Sequence, residues 1–256
     1  MGFTREELLA VVKRSPATVA VHDKAGWLGL FGEAAYIEDP IGSPRADKAS
    51  GLLGRFWDTF IQPHQIEFEV LRDVVLGHDV MRDVIIHTRI NQRVQIDVPA
   101  YLLYQLEENE GRLEVRRMAA HWELARLSLG ALKLGPRAWW PMTRLFFNMI
   151  ARMGIGWVGG YLASLWSGKP ALVFSLDSFE ADAEIDFGGE KLTPQQLIDK
   201  KVALESPVVA GWTASFRFSL GLGLIEFSRA TKKISRARFF VDVQEMNGKS
   251  ALRSAG

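Results

Sequence analysis

Along the first part of the chain, apolar residues follow a helical spacing that is interrupted by one short strand pattern. Thr4 and Glu7 form a capping-box pattern that predicts a helix start, and the pair Ser15-Pro16 predicts the start of a second helix. Residues 34–39, Ala-Ala-Tyr-Ile-Glu-Asp, predict a strand that ends in a turn with two prolines. An amphipathic helix is predicted next, with an apolar face formed by Leu52, Leu53, Phe56, Trp57 and Phe60.

Beyond Pro63 the apolar positions alternate with polar ones, which indicates strands. Four strands are predicted, over residues 65–75, 79–90, 93–107 and 112–122, and Glu-Asn-Glu-Gly supplies the last hairpin turn. Residues 1–123 therefore predict helices followed by a curved antiparallel sheet, which is an α+β module.

The second half of the chain repeats this order of helices, strand, turn, helix and strands. Both halves place Asp-x-x-Gly at the end of the first strand, as Asp39 to Gly42 and as Asp186 to Gly189. We expect an α+β fold of two tandem modules. Their predicted bounds are residues 1–123 and 141–244, with a connector over 124–140 and a tail over 245–256.

Composition narrows the classes of function. Of 256 residues, 48% are apolar and 24% charged, which is typical of a globular protein. Lys and Arg (31) balance Asp and Glu (30), so no basic face for nucleic acid is predicted. The absence of cysteine excludes disulfides and thiolate metal sites and is compatible with a cytoplasmic location. The five histidines show no metal-ligand spacing, and we expect neither metal nor cofactor.

The most membrane-like stretch is residues 153–168, which carry no charge over sixteen positions. A span needs about twenty apolar residues, so the stretch predicts a buried helical segment, with contact to a membrane surface as the alternative. It contains Gly-Ile-Gly-Trp-Val-Gly, which matches a dinucleotide-binding motif by letter. The motif needs a preceding strand, whereas a helical pattern precedes it here.

Residues 23–45, Asp-Lys-Ala-Gly-Trp-Leu-Gly-Leu-Phe-Gly-Glu-Ala-Ala-Tyr-Ile-Glu-Asp-Pro-Ile-Gly-Ser-Pro-Arg, resemble the ketosteroid isomerase and SnoaL-like branch of the nuclear transport factor two-like superfamily. The shared features are the Asp-Pro-x-Gly strand end, the Leu-Phe helix before it and a helix like that of residues 51–61 after it. The resemblance extends over residues 15–123. It implies cone-shaped modules, in which helices pack on a strongly curved antiparallel sheet around an apolar pocket. It also implies pairing through the sheet, as a pseudo-dimer within one chain or as a homodimer.

The resemblance further implies a catalytic site. The general base of the family falls on Asp39, and the expected reaction is proton abstraction next to a carbonyl, as in steroid Δ-isomerases. The family's Tyr donor falls on Ser15, and its second donor falls near Tyr101 or Leu102. We therefore predict Asp39, Tyr101 and Asp97 as the catalytic residues.

Six further residues are predicted to contact an apolar small-molecule ligand: Phe31, Tyr36, Trp57, Phe60, Asp83 and His87. Asp83 and His87 share one strand face, which points either into the pocket or into solvent. Asp186 is either a second base or part of a degenerate copy. Two alternatives to the isomerase stay open: a binder of sterol-like or polyketide-like ligands, and epoxide opening or cyclisation, which needs Asp83 or Asp97 beside Asp39.

Overall fold

The computed structural model describes residues 3–91, 94–123, 136–164, 172 and 174–242, together with the side chains of most of them. The predicted tail and most of the connector lie outside the described residues. The helices are α1 (Arg5–Ala20), α2 (Lys24–Leu28), α3 (Leu52–Phe56), a π-helical turn (Trp57–Ile61), α4 (Pro136–Met153), α5 (Ile155–Ala163), a 3-10 turn (Leu176–Ser178) and α6 (Pro194–Asp199).

Helix α1 begins at the predicted capping box but does not stop at the predicted second start. The Glu7 backbone N–H donates to the Thr4 hydroxyl (3.3 Å), and the Thr4 backbone N–H donates to the Glu7 carboxylate (2.7 Å). Pro16 lies inside the continuous helix, so the predicted restart is wrong. Proline costs one helical hydrogen bond there, and burial of Val12 and Val19 on the inner face offsets this cost.

The strands form two six-stranded sheets with the same relative order. The first sheet has the order β2-β1-β6-β5-β4-β3 and the second the order β8-β7-β12-β11-β10-β9. Their bounds are β1 Phe31–Glu38, β2 Ala46–Asp47, β3 Gln65–Leu76, β4 Asp79–Asn91, β5 Val94–Asn109, β6 Arg112–His121, β7 Phe179–Phe187, β8 Glu190–Lys191, β9 Glu205–Ala210, β10 Thr213–Phe218, β11 Gly221–Phe227 and β12 Ile234–Val241.

The α+β fold class with two modules is confirmed, whereas the antiparallel description of the sheets needs correction. Strand β1 pairs in parallel with β6, and β7 pairs in parallel with β12, so both sheets are mixed. The reason is that each chain half returns from a meander of four antiparallel strands to lie beside its own first strand.

Helices α4 and α5 belong to the first module, although the predicted second module begins at residue 141 and so includes most of them. Their buried residues Met149, Met153 and Trp157 join the hydrophobic core of the first sheet. Gly160 of α5 lies against Pro44, where an added Cβ would come within 2.4 Å of the proline ring. This close approach places α5 over the turn that follows β1.

The two sheets pack against each other through their outer faces. The contact has an apolar centre formed by Ile41, Val74, Met81, Tyr101, Leu103, Ala119, Val208, Leu222, Leu224 and Phe240. Around it, the Arg238 guanidinium pairs with Asp79 (2.5 Å), and the Tyr101 hydroxyl donates to the Ser206 carbonyl (2.9 Å). Hydrogen-bonded and apolar contacts therefore join the two modules directly.

The inner face of the second sheet carries a row of aromatic side chains. Phe216, Gly223, Phe239 and Phe187 lie opposite one another on four adjacent strands. An added Cβ at Gly223 would come within 2.1 Å of the Phe216 ring, so only glycine leaves room for that ring. The Phe216 and Phe239 rings are 5.8 Å apart, and the Phe187 and Phe239 rings are 5.1 Å apart.

Candidate active site

A cavity of about 200 Å³ lies inside the first module, between the sheet and the helices that cover it. Helices α1 to α5 and strands β3 to β6 all contribute to its wall. The lining residues are Ser15, Val19, Trp27, Asp39, Phe56, Phe60, Ile61, His64, Ile66, Phe68, Ile86, Thr88, Ile96, Val98, Leu102, Tyr104, Met118, Trp122, Leu145 and Tyr161. Most of them are apolar, so a bound molecule would meet a largely hydrophobic surface.

Strand alternation decides which sheet residues face this cavity. On β4 and β5 the lining residues all have even numbers, such as Ile86, Val98 and Leu102. Neighbouring odd-numbered residues project from the opposite face, because successive side chains of a strand alternate. The pairs Asp83 with Tyr101 and His87 with Asp97 therefore lie on the outer face of the sheet.

Asp39 occupies the turn directly after β1, at the inner side of the sheet. The turn is held by the Ile41 N–H, which donates to the Ala120 carbonyl (2.8 Å), and by the Ser43 N–H, which donates to the Pro40 carbonyl (3.0 Å). The peptide bond between Asp39 and Pro40 is cis. Ile37, two residues earlier, belongs to the core, and Asp39 follows it on the same side and lines the cavity.

A single described side chain donates to the Asp39 carboxylate. The Trp122 indole N–H donates to Oδ1 over 2.6 Å, and no described residue donates to Oδ2. Burial raises the pKa of Asp39 from 3.8 to about 6, and the Trp122 hydrogen bond opposes this rise. The carboxylate is thus partly buried and ionised near neutral pH, and its Oδ2 accepts from none of the described residues.

Tyr104 and Ser15 form a polar group on another wall of the cavity. The Tyr104 hydroxyl and the Trp27 indole N–H both donate to the Ser15 hydroxyl, each over 3.2 Å. Burial is the main cause that raises the pKa of Tyr104, and the charge of Asp39 adds to the rise. Tyr104 therefore stays protonated at neutral pH and can act as a hydrogen-bond donor.

Tyr161 of α5 brings a third hydroxyl to the cavity. Its ring stacks on Trp157 (5.3 Å between centroids) and on Phe60 (6.0 Å). Burial raises the pKa of Tyr161 far above its usual value, and the charge of Asp39 raises it further. Like Tyr104, this phenol stays neutral, and it lines the same cavity as Asp39.

Of the nine predicted site residues, Asp39 and Phe60 line the cavity, and four others lie on the outer face of the sheet. Tyr101 donates to the carbonyl of Ser206, and Asp83 pairs with Arg217 (Nη2 to Oδ1, 3.0 Å), so both contact the second module. His87 bonds to Asp97 (2.8 Å) at the exposed end of the same face. The predicted cavity positions of these four residues are corrected, because each lies one residue away from the inward-facing register.

The remaining three predicted residues do not line the cavity. Phe31 is buried in the core, with its ring 4.7 Å from that of Trp27. Trp57 is buried behind Trp27, and its indole N–H donates to the Gln62 side chain (2.9 Å). The Tyr36 ring faces outward and stacks under the Arg45 guanidinium at 4.1 Å.

Asp186 does not repeat the position of Asp39. Its neighbours Ile185 and Phe187 face the core of the second module, so Asp186 points to the other side. Its carboxylate accepts from the Gly189 backbone N–H (2.8 Å) and pairs with Lys191 (3.2 Å). This arrangement is that of a turn carboxylate, which favours the second of the two interpretations of Asp186, a degenerate copy.

The sequence patterns did not indicate five polar cavity residues: His64, Thr88, Tyr104, Trp122 and Tyr161. Tyr104 lies two residues after Leu102 on the same strand, so both side chains face the same side of the sheet, and strand alternation alone would have placed Tyr104 at the cavity. Tyr161 comes from a helix that was assigned to the other module. The Nδ1 of His64 is 2.7 Å from the Phe60 carbonyl oxygen. No local sequence pattern predicts that His64 lines the cavity. Within the described residues, no group of three or more His, Asp or Glu side chains could hold a metal ion.

Neither a protein-family model nor a curated protein sequence matches the chain. Solved structures are similar to about half of it. A Mycobacterium tuberculosis protein in complex with estradiol-17β-hemisuccinate is 22% identical over 46% of this chain and 95% of its own, with a TM-score of 0.42. The Δ5-3-ketosteroid isomerase from Mycobacterium sp. is 19% identical over 45% and 92%, with a TM-score of 0.41.

A putative SnoaL-like polyketide cyclase from Shewanella putrefaciens is 10% identical over 50% of this chain and 96% of its own, with a TM-score of 0.43. These solved structures are of the kinds that the sequence resemblance named. At such identities the likeness concerns the fold alone.

Proposed function

We propose that the cavity of the first module is an active site, at which Asp39 transfers a proton next to the carbonyl group of an apolar small molecule. The observation that carries this proposal is a carboxylate with a pKa of about 6 at the wall of a largely apolar cavity. A general base works best when its pKa lies near the working pH, and burial moves Asp39 in that direction. The proposed reaction class is isomerisation.

Each step of the reaction has a candidate group. The Oδ2 of Asp39, to which no described side chain donates, takes the proton from the carbon next to the carbonyl, and the electron pair of the C–H bond moves into an enolate. Asp39 then returns the proton to another carbon of the conjugated system, so the substrate gains and loses no atoms. The apolar wall keeps water away and strengthens both electrostatic interactions.

The developing negative charge on the carbonyl oxygen needs donors, and we assign this role to Tyr161 and Tyr104. Both phenols are neutral, line the cavity and interact with the charge of Asp39. They take the role that the sequence analysis gave to Tyr101 and Asp97, both of which lie on the outer face of the sheet. Removing one such donor from an active site typically slows turnover by about 10²–10³-fold.

The test uses a Δ5-3-ketosteroid as substrate and the absorbance of the conjugated enone as the signal. We expect turnover that falls about 10²–10⁴-fold in the variant Asp39→Asn. The matched control is Asp186→Asn, because Asp186 also follows a strand and precedes a Gly-containing turn but points away from the core. Equal turnover in Asp39→Asn and the parent protein would overturn the proposed role of Asp39.

A second candidate function is binding of an apolar ligand without catalysis. Ser15 favours it, because serine stands where the resemblance implies a Tyr donor, and the Ser15 hydroxyl already accepts two hydrogen bonds. Trp27 and Trp122 line the cavity, so a ligand should quench tryptophan fluorescence. Saturable quenching by the ketosteroid without any change in its absorbance would support the binder over the isomerase.

The geometry does not favour epoxide opening or cyclisation by two acids. That chemistry needs a second carboxyl group beside Asp39, and Asp83 and Asp97 lie on the outer face of the sheet. Among the residues that the structure describes, Asp39 is the only carboxylate in the cavity wall.

We also propose that the two modules are copies of one ancestral unit that form a pseudo-dimer within the chain. The identical relative order of the strands and the packing of one outer face on the other support this proposal. Both modules have mixed sheets with one parallel pair at the same place.

A further inference from the structure

Helix α4 presents two opposite faces of different character. Leu145, Met149 and Met153, spaced four residues apart, face the first module, where Leu145 lines the cavity and the two methionines join the core. Trp140, Arg144 and Phe147 follow each other at spacings of four and three residues, so they share the opposite face. Trp140 is 76% exposed and Phe147 is 63% exposed.

Exposed apolar side chains are concentrated on this helix and the next. Of the nine large hydrophobic residues that stand out as exposed in the described part of the chain, five lie on α4 and α5: Trp140, Phe146, Phe147, Ile155 and Leu162. Ile155 is 78% exposed and begins α5, directly after the corner at Gly154. Such a concentration of exposed aromatic and aliphatic side chains marks an interaction surface.

The charge of this region is one-sided. Helices α4 and α5 contain three arginines, Arg137, Arg144 and Arg152, and no acidic residue. On the exposed face of α4 the charged side chain is Arg144, and Arg152 at its end donates to the Asp58 carbonyl (2.8 Å). An apolar and aromatic surface on two helices that carry arginine and no acidic residue is complementary to anionic lipid headgroups.

We propose that α4 and α5 dock on the surface of an anionic lipid bilayer, with Trp140, Phe147 and Ile155 in the headgroup region and Arg144 against lipid phosphates. None of the described helices combines the length and apolarity needed to cross a bilayer, so the helices lie on the membrane and do not span it. Tryptophan and arginine suit this interface, since each combines an apolar body with a polar end.

The docking surface and the cavity share the same two helices. The inner side of α4 contributes Leu145 to the cavity wall, and α5 contributes Tyr161. A protein docked in this way takes up apolar molecules from the bilayer, which matches the apolar lining of the cavity. This last step rests on the proposed function, whereas docking itself does not.

The test is sedimentation of the full chain with vesicles of phosphatidylglycerol and, separately, of phosphatidylcholine. We expect binding to the anionic vesicles, much weaker binding to the zwitterionic ones, and loss of binding at high salt. The double variant Trp140→Ser/Phe147→Ser should bind the anionic vesicles roughly tenfold more weakly or worse, because two apolar side chains no longer enter the bilayer. Arg144→Glu should weaken binding at least about fivefold.

Matched controls change exposed residues elsewhere on the molecule. Val21→Ser/Leu176→Ser removes two exposed apolar side chains, and Lys232→Glu reverses a charge on an exposed residue of the second module. Both should bind vesicles within about twofold of the parent protein. Asp39→Asn should also bind normally, so that failure of the proposed catalysis and failure of docking give different results.

Three outcomes would overturn the docking proposal. The first is no sedimentation with phosphatidylglycerol vesicles, and the second is unchanged binding of the Trp140→Ser/Phe147→Ser variant. The third is a protein that ignores vesicles and forms a dimer in gel filtration, with the same double variant restoring the monomer. That result would assign the surface to a second copy of the chain.

Discussion

The two modules share one strand order but differ in what lies on the inner face of the sheet. In the first module, five helices cover the sheet and enclose a cavity that Asp39 borders. In the second, a row of phenylalanine rings, centred on Phe239, packs on the same side of the sheet. The acid of the shared Asp-x-x-Gly pattern faces inward in one module and outward in the other.

The orientation of the residue at the strand end accounts for this difference. A shift of one residue at the strand end exchanges an inward carboxylate for the inward Phe187. Asp39 is consequently desolvated by apolar neighbours, whereas Asp186 has a backbone N–H and Lys191 as partners. The same strand order therefore surrounds a cavity in one module and packed aromatic rings in the other.

The largest expected effect is on the free energy of unfolding, and it compares the packed core of the second module with the core of the first, which borders a cavity. Phe239→Ala should lower the free energy of unfolding by about 3–5 kcal/mol, because it leaves a void among packed rings. Phe60→Ala should cost only about 1–2 kcal/mol, because Phe60 is partly buried and already borders a cavity. Urea denaturation of both variants measures the difference, and equal costs would contradict the contrast between the two modules.

The next effect compares the two aspartates through the pH dependence of stability. Because the folded protein raises the pKa of Asp39 from 3.8 to about 6, the folded state loses stability as the pH rises through that range, by up to about 3 kcal/mol. Asp39→Asn should therefore be more stable than the parent protein at pH 8 and nearly equal to it at pH 4.

Asp186→Asn should act in the opposite direction. It keeps an acceptor for the Gly189 N–H but loses the ion pair with the exposed Lys191, which costs at most about 1 kcal/mol. Thermal unfolding at both pH values compares the variants. If Asp39→Asn were less stable than the parent protein at pH 8, the ionised Asp39 carboxylate would not destabilise the folded state, which would contradict this prediction.

A smaller effect concerns the hydrogen bond that supports the candidate base. The Trp122 N–H lowers the pKa of Asp39, so Trp122→Phe should raise it further and move the midpoint of the pH–rate profile upward, by on the order of one pH unit. Trp27→Phe is the matched control, because Trp27 lines the same cavity but donates to Ser15. An unchanged midpoint in Trp122→Phe would remove Asp39 as the group that controls the profile.

The fold class could be predicted from the sequence because it depends on local patterns, whereas Asp39 was chosen as candidate base through the resemblance carried by its turn. Alternation, capping boxes and turn residues are short-range signals, and Asp39 sits in such a turn. Two features depend instead on residues far apart in the sequence: the parallel direction of β6 beside β1, and the side of the sheet that Tyr101 faces. They depend on how the strands assemble, and a prediction that misses the register by one residue assigns every side chain to the wrong face.

The sequence also did not indicate against which sheet each helix packs. The apolar run over residues 153–168 predicts a buried segment, but of its described residues only Met153, Trp157 and Val158 are buried, and Ile155 is 78% exposed. No local signal tells which of two similar sheets the buried residues cover. For this reason Tyr161 was overlooked as a cavity residue. Asp83 and Arg217 are over a hundred residues apart along the chain, and their pairing follows from the packing of one sheet on the other.

The smallest effect tests this contact between the modules. A double-mutant cycle on Asp83→Asn and Arg217→Gln should give a coupling of about 1 kcal/mol, since the carboxylate is only 5% exposed but the guanidinium is 37% exposed and partly screened. The control pair is Glu184 with Arg236, which lies within the second module with side chains 60% and 46% exposed, and should couple by less than about 0.5 kcal/mol.

Turnover of Asp83→Asn should stay within about threefold of the parent, because Asp83 faces the second module and not the cavity. A coupling near zero together with a large loss of turnover would place Asp83 in the site and contradict the division of the sheet into a catalytic and a packing face.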